Sequence, residues 1–512
     1  MSALAQSPDG QTVLVASGGA GKLTRLDAKL SVGKSFEVAP DPRAVLITRD
    51  GKTALVSHAG RPTLEVVDLA TNQKEGEIAL SLSPFDSAED DPDAPASLSL
   101  RMKAALQETA PTPSEPGGRS AAQSYALVET SDPPGRVLLP HVLVDRGDQG
   151  SPQKFYGGHG TRHVPVVSVL DLAARRVVRP PGSFDAMMQF EEERFGPGRR
   201  NGSDRCLLPR SAAIDDATGT VLVGCAGVDS LVAYDARSVE PQAVERARFG
   251  VGTYPNGIAV DASARRAYVW GAHERVLDIV DIDAWYAGRL TKREKVQLER
   301  PRTPPSLGMM LGRQMFYASG DIRIASDGVA CASCHPDGGD DGAVWITDGG
   351  PRRTKRLDVP RQGELLGWEG RHAGLGAFVE YEIEQLGGSG LRGVQLEALL
   401  TYVEQLRPAA APGGEEAGAL ARHGCSACHA AAQGKAQDVG SRTRFDRRGE
   451  FLAPSRFGLA ARGPYFHDGR FPTLESLLAA PHHERGKQMV LSEQDRADLL
   501  AALLAMRSGE AR

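Results

Sequence analysis

Short β-type runs and turn signals alternate through the first 300 residues. "SPDGQTVLVAS" matches "TRDGKTALVSHAGRPTLEVVDL", and later come "DDATGTVLVGCAGVDSLVAYD" and "DASARRAYVWGAHERVLDIVDI". Each has a turn, a strand such as Val221 to Val223, a short gap and a second strand ending in Asp. The units recur at a spacing of about 40 residues, the period of a propeller blade. About five units are visible, and about seven would fill the length. Residues 87–123 break the pattern as a loop insertion with one short helix around Leu98 to Leu106. Residues 145–165 read as a second long loop.

After "PRTPPS", near residue 300, the period changes to that of amphipathic helices. "VQLEALLTYVEQL" spaces Leu396, Leu399, Leu400, Val403 and Leu406 along one face. A second helix starts at Ser492, with Asp495 completing a box-like cap, and its buried stripe is Leu499, Leu500, Leu503 and Leu504. The segment "PAAAPGGEEAG" (408–418) joins two copies of one layout. "WEGRHAGL" (368–375) and "HDGRFPTL" (467–474) share acid-Gly-Arg-x-x-x-Leu, one in each copy.

Composition narrows the classes. At 512 residues the chain exceeds one ordinary domain. A net charge of −5 leaves no basic footprint for nucleic acid. No apolar run reaches the roughly 18 residues of a membrane span. "MSALAQSPDG" has no charged n-region or long apolar h-region, so an exported form would be a processed one.

Six cysteines change the picture most, because four lie in two copies of C-x-x-C-H. These are "CASCH", with Cys331, Cys334 and His335, and "CSACH", with Cys425, Cys428 and His429. Zinc from two C-x-x-C pairs needs no His after each pair, and its pairs usually lie closer together. A thioredoxin-type dithiol wants a helix running on after the motif, which "PDGGDDG" cannot supply. Covalent haem c needs two thiols one helical turn apart and a His that reaches the iron, and both copies meet that need. Two haem c groups with iron ligands His335 and His429 are therefore expected, and with them assembly outside the cytoplasm. In that setting Cys206 and Cys225, in one blade, are a candidate disulfide, with two buried thiols as the other reading.

Residues 303–507 resemble the bacterial di-haem cytochrome c peroxidase family, which includes MauG. The resemblance rests on "LGRQMFYASGDIRIASDGVACASCH", "GWEGR", the second "CSACH" and "APSRFGLAARGPYFHDGRFPTLESLL". The first 300 residues resemble a YVTN-type β-propeller. The implied fold is an all-β propeller of seven-bladed type followed by two tandem all-α cytochrome c domains, with boundaries at 1–300, 301–408 and 409–512.

The resemblance also implies roles. The first haem would meet hydrogen peroxide, the second would transfer electrons, and Trp368 would lie between them. The first region carries no distal His after its motif, "AVWITDGGPRRTKR", so that iron would be open; His372 is the nearest candidate to close it. The family's distal Gln falls on Phe378 and its Glu near Gly388. Glu382 shares the Phe378 face at i+4 and is the acid–base candidate, ahead of Glu380 and Glu384; a solvated acidic face is the plain alternative. The second haem's distal ligand falls on His482, then Met489, then His483. The family's calcium loses a ligand, since Arg353 stands at its Asn, leaving carbonyls near Arg462 and Pro464. The implied function is a periplasmic di-haem oxidoreductase that reduces hydrogen peroxide, or uses it to oxidise a protein or small substrate. The alternative is a non-catalytic carrier docking a redox protein through its propeller. A third reading, in which the propeller is the enzyme, has only His159 and His163 to support it.

Overall fold

In the computed structural model, residues 3–505 are described apart from 19–20, 82–118, 148–161, 179–204, 289–293, 300–303, 360–364, 407–419, 424, 426–428, 430–435, 439–440, 455–458, 460–462 and 481–490. Five antiparallel sheets follow one another as the blades of a propeller-like ring. Blade 1 has strands Ala3–Gln6, Thr12–Ser17, Lys22–Asp27 and Val32–Glu37. Blade 2 has Pro42–Ile47, Thr53–His58, Thr63–Asp68 and Gln73–Ala79. Blade 3 runs through Ser120–Ala122, Val128–Glu129, Arg136–Val144, His163–Asp171 and Arg176–Val178. Blade 4 has Pro209–Asp215, Thr220–Cys225, Ser230–Asp235 and Glu245–Gly250. Blade 5 has Pro255–Asp261, Arg266–Gly271, Val276–Asp281 and Glu294–Gln297.

The recurrent Asp closes the third strand of four blades, and the fourth strand of blade 3, for a local reason. Its carboxylate accepts backbone N–H groups of the turn that follows: Lys29 for Asp27, Thr71 for Asp68, Ala173 for Asp171, Arg237 for Asp235 and Ala284 for Asp281. The central strands are apolar on both faces because each sheet lies between two others. In Thr220–Cys225, Val221 and Val223 pack with Leu138 and Val167 of blade 3. Leu222, on the opposite face, packs with Val269 and Val280 of blade 5. Cys206 and Cys225 form a disulfide within blade 4, their Cα atoms 4.9 Å apart.

Five blades replace the seven expected among the described residues. The remaining length goes to segments 82–118, 148–161 and 179–204, outside the described residues, and to the long strands of blade 3. The helix expected at Leu98 to Leu106 lies outside them too. His163 is not in a loop: it opens a strand, is buried, and stacks on Trp345 at 5.8 Å. Burial pushes its pKa down to about 3 against the pull of Asp327.

Blade 2 contains a buried carboxylate with a pH consequence. Glu65 accepts from Ala39 N (3.0 Å) and Lys74 Nζ (3.2 Å) and faces His58 Nε2 at 3.6 Å. Burial pushes its pKa up, but His58 and these donors outweigh it and bring it to about 2. A depressed carboxylate stabilises the fold above its unfolded pKa and stops doing so as pH falls through the folded one. Glu65 is therefore expected to contribute on the order of 3 kcal/mol at neutral pH, lost between about pH 4.5 and 2. Urea titrations at stepped pH check this: Glu65→Gln should flatten that part of the acid limb.

The chain beyond the propeller is not a pair of all-α domains. Its described helices are α2 (Leu307–Tyr317), α3 (Cys331–Cys334), α4 (Leu375–Gln385), α5 (Val394–Gln405), α6 (Leu474–Ala479) and α7 (Glu493–Ala505), after α1 (Ile282–Tyr286) in blade 5. Between them lie two-stranded ribbons, among them Val344–Thr347 with Gly350–Arg353, both strands fully buried. The core here also crosses residue 300. Phe316, Ile383, Leu399 and Val403 pack in one cluster with Leu208 and Tyr254 of blades 4 and 5.

Both helical stripes exist with adjustments. On α5 the fully buried positions are Ala398, Leu399, Tyr402 and Val403. On α7 Leu499 and Leu503 are buried but Leu504 is exposed, its place taken by Ala502. Ser492 and Asp495 cap α7 reciprocally. Helices α2 and α5 touch where Gly312 sits, and a Cβ there would stand 1.9 Å from the Ala398 carbonyl oxygen. Gly312→Val should cost at least the about 1–3 kcal/mol of an overpacked core, read as a lower Tm.

Candidate functional site

The first C-x-x-C-H is built on a single helical turn. Ala330 N donates to Ser333 Oγ (3.0 Å), which caps α3 at its start. His335 N donates to the Cys331 carbonyl (2.9 Å), so the ring stays on the turn that carries both thiols. Asp337 and Gly338 then take positive φ and fold the chain back. That return brings the Gly339 carbonyl to His335 Nδ1, at 3.3 Å. A carbonyl only accepts, so Nδ1 carries the proton and Nε2 the lone pair.

The second copy repeats this geometry in the residues described. His429 N donates to the Cys425 carbonyl at 3.0 Å, and His429 Nδ1 donates to the Pro454 carbonyl at 3.0 Å. Its lone pair is likewise placed on Nε2. Cys428 lies outside the described residues, as do His482, Met489 and His483, so the second distal ligand is not placed.

Cys331, Cys334 and His335 line a cavity of about 340 Å³. Its walls are mostly apolar, with Trp345, Trp368, Phe378, Ile383, Leu399 and Val403 among them. Cys331 and Cys334 are not joined to each other. Burial pushes the Cys331 thiol up to about 12, and Cys334 well above its ordinary range, with Glu382 adding to both.

Helix α4 brings Phe378 and Glu382 into this cavity together, one turn apart. Glu380 and Glu384 are exposed and do not line it. His372 does, with its ring 4.4 Å from that of Tyr381. Tyr381 donates to Asp348 Oδ1 (3.1 Å), and Arg371 faces Asp348 at 3.5 Å. Burial lowers the His372 pKa, and Arg371 lowers it further.

Trp368 stands where the two copies meet. Its Nε1 donates to the Arg353 carbonyl (2.6 Å), and its own carbonyl accepts from Leu452 N (2.7 Å). Leu452 and Pro454 line the first cavity, and Pro454 holds His429. Arg353 is buried and paired with Asp340 at 2.8 Å, so a guanidinium occupies the position the resemblance assigns to a calcium ligand. Arg462 lies outside the described residues. His163 is in blade 3, and His159 is not described.

The sequence reading missed the polar network beneath this site. Arg352 pairs with Asp446 and with Glu369 (2.6 Å), and Asp446 also accepts from His467 Nε2 (3.0 Å) and Thr443 N (2.7 Å). Burial pushes Asp446 upward, but His467, Thr443 and Arg352 outweigh it and hold it below the carboxylate range. The His467 ring stacks on Phe451 at 3.9 Å and meets Trp368 edge-on at 6.3 Å. The network joins the two Gly-Arg turns. Glu369 of the first turn and His467 beside the second stood in the visible repeat, but Arg352 and Asp446 lie 94 residues apart and left no signal.

No family model matches the sequence, and no curated protein matches it. Among solved structures, hydrazine synthase from Kuenenia stuttgartiensis is similar over 58% of this chain and 84% of its own, at 15% identity and a TM-score of 0.31. A functionally unknown protein from Desulfotomaculum acetoxidans is similar over 59% of this chain and 72% of its own, at 14% identity and a TM-score of 0.33. At such scores neither carries an argument about this chain.

The resemblance to the di-haem peroxidase family therefore does not stand. No family model supports it, and the described residues form a mainly β, propeller-like molecule without two all-α haem domains. Among the described residues no group of three or more His, Cys, Asp or Glu is placed to hold a metal ion. No described helix is long and apolar enough to cross a membrane.

Proposed function

We propose that this chain is an exported c-type haem oxidoreductase, with a haem attached at each C-x-x-C-H and electrons passing between them. One observation carries the reading. In both copies the His N–H is tied back to the first Cys carbonyl, while Nδ1 is spent on a backbone carbonyl, which leaves Nε2 as the ligating nitrogen. A c-type attachment asks the protein for one iron ligand and two thioether carbons' partners, not a cluster of metal ligands. The cavity beside Cys331 and Cys334 is mostly apolar and bordered by aromatic side chains, which suits a porphyrin face. The Cys206–Cys225 disulfide fits an oxidising compartment.

Bound there, haem would supply one-electron chemistry toward a small oxidant such as hydrogen peroxide. Reduction of that oxidant to two waters takes two electrons and two protons. Glu382, in the cavity wall, would hold and move a proton, and the bulk of Phe378 would keep water out. The run His429–Pro454–Leu452–Trp368 would serve as the path between the two sites. The second reading, a carrier with no turnover of its own, is favoured by Phe378, which puts an apolar ring where peroxide cleavage would use a hydrogen-bonding side chain.

The test is to export the full chain in a host with haem-attachment machinery. Intact-mass and peptide spectra should show one covalent haem on each motif; none would overturn the proposal. Peroxide added to the oxidised protein should then remove its high-spin ferric EPR signal. Two unreactive low-spin haems would leave only the carrier reading.

A further inference from the structure

Residues 327–341 are gripped by the propeller on several sides. At the start, Asp327 pairs with Arg162 (2.9 Å), and its carbonyl accepts from Arg205 (3.2 Å). In the middle, Gln123 Nε2 donates to the Ser333 carbonyl (2.5 Å), and Gln123 Oε1 accepts from Arg210 (3.0 Å). Two residues past His335, Asp337 accepts from Arg43 Nη1 (2.7 Å) and from Tyr254 OH (3.1 Å). At the end the backbones meet: a Cβ on Gly60 would stand 2.7 Å from the Asp341 carbonyl oxygen. These partners come from four different blades.

Asp337 is the centre of this arrangement. It sits in the left-handed region, at φ 53°, within the turn that returns Gly339 to His335. Nothing in the return turn itself needs a carboxylate. Arg43 and Tyr254 come from the first strands of blades 2 and 5 and their margins, so one carboxylate ties two blades together. Arg210 lies 3.9 Å over the Tyr125 ring beside it, which sets a second guanidinium close by. The Asp337 side chain keeps 40% of its exposure, so its charge acts over a short range.

We infer that this end of the propeller is a positioning device for the first haem's iron ligand: Asp337, clamped by Arg43 and Tyr254, fixes the turn that orients His335 and balances the arginine charge beside that turn. The inference rests on the proposed haem at Cys331 and Cys334. Asp337 is a positioning residue, acting through the Pro336–Gly339 turn and through its charge.

The charge part has a sign. Oxidised iron carries one more positive charge than reduced iron, so losing the carboxylate beside uncompensated arginines disfavours the oxidised form. In the full-length holoprotein, Asp337→Asn should shift the first haem's midpoint potential upward in a spectroelectrochemical titration and leave the second haem's in place. Adding Arg43→Gln to Asp337→Asn should bring the first potential back toward the starting value. A shift of both potentials together, no shift, or no recovery in the pair would overturn the inference. A second readout needs no haem: hydrogen exchange at residues 333–339 should quicken in Asp337→Asn while blade 4 stays protected. Unchanged exchange would overturn the clamp itself, whereas a wild-type chain with quickened variant exchange but no covalent haem would overturn only the haem reading and the charge role built on it.

Discussion

Glu382→Gln is expected to slow the proposed reaction of hydrogen peroxide at the Cys331–Cys334 haem site by about 10²–10⁴-fold, the range of one positioned acid–base group. Glutamine keeps the side chain's length and polarity, so cavity shape and covalent haem content should not change. Of the three glutamates on α4, Glu382 alone lines the cavity, while Glu380 and Glu384 point their exposure to solvent. Glu380→Gln and Glu384→Gln should therefore leave the rate near its original value. Stopped-flow traces at fixed pH make the comparison. Equal rates in all four proteins would remove Glu382 from the chemistry and favour the carrier reading.

Arg352→Met is expected to destabilise the second half of the chain by about 3–5 kcal/mol, the cost of removing one partner from a buried ion network. Asp446 and Glu369 are both nearly or fully buried, and Arg352 is the cation they share. Asp446 would keep His467 and Thr443, but Glu369 would be left with Arg371 and a distant Arg448. Arg352→Lys should recover only part of the loss, because one ammonium cannot serve two carboxylates and two carbonyls as the planar guanidinium does. Denaturant unfolding followed at Trp368 reports on this region. A loss under about 1 kcal/mol would mean that packing, not the network, joins the two Gly-Arg turns.

What the sequence made legible follows the range of each interaction. The Asp that ends the penultimate strand of each blade was readable because it acts on a turn two or three residues away. The C-x-x-C-H turns were readable for the same reason, and once the resemblance had pointed to Phe378, helical period placed Glu382 on the same face. Five units were visible and five blades are described; the number seven came only from dividing the length by the period, which counts segments such as 82–118 that break the repeat. The ribbon Val344–Thr347 with Gly350–Arg353 was passed over as a region notable only for lacking a His. Its strands have four residues each, and their burial comes from neighbours far along the chain. Local motifs thus suggested a familiar pair of helical domains, while the arrangement between them was set by long-range contacts that carry no local signal.

The grip on residues 327–341 also bears on how the molecule folds. Arg43 and Asp337 are 294 residues apart, and Gln123 and Ser333 are 210 apart. Closing a loop of that size costs several kcal/mol of chain entropy, more than a half-exposed ion pair returns. These contacts therefore cannot nucleate anything; they can form only after the blades supply a ready-made surface. The motif-bearing segment is therefore expected to dock late, onto a finished propeller, with its long closure already shortened by every blade formed before it.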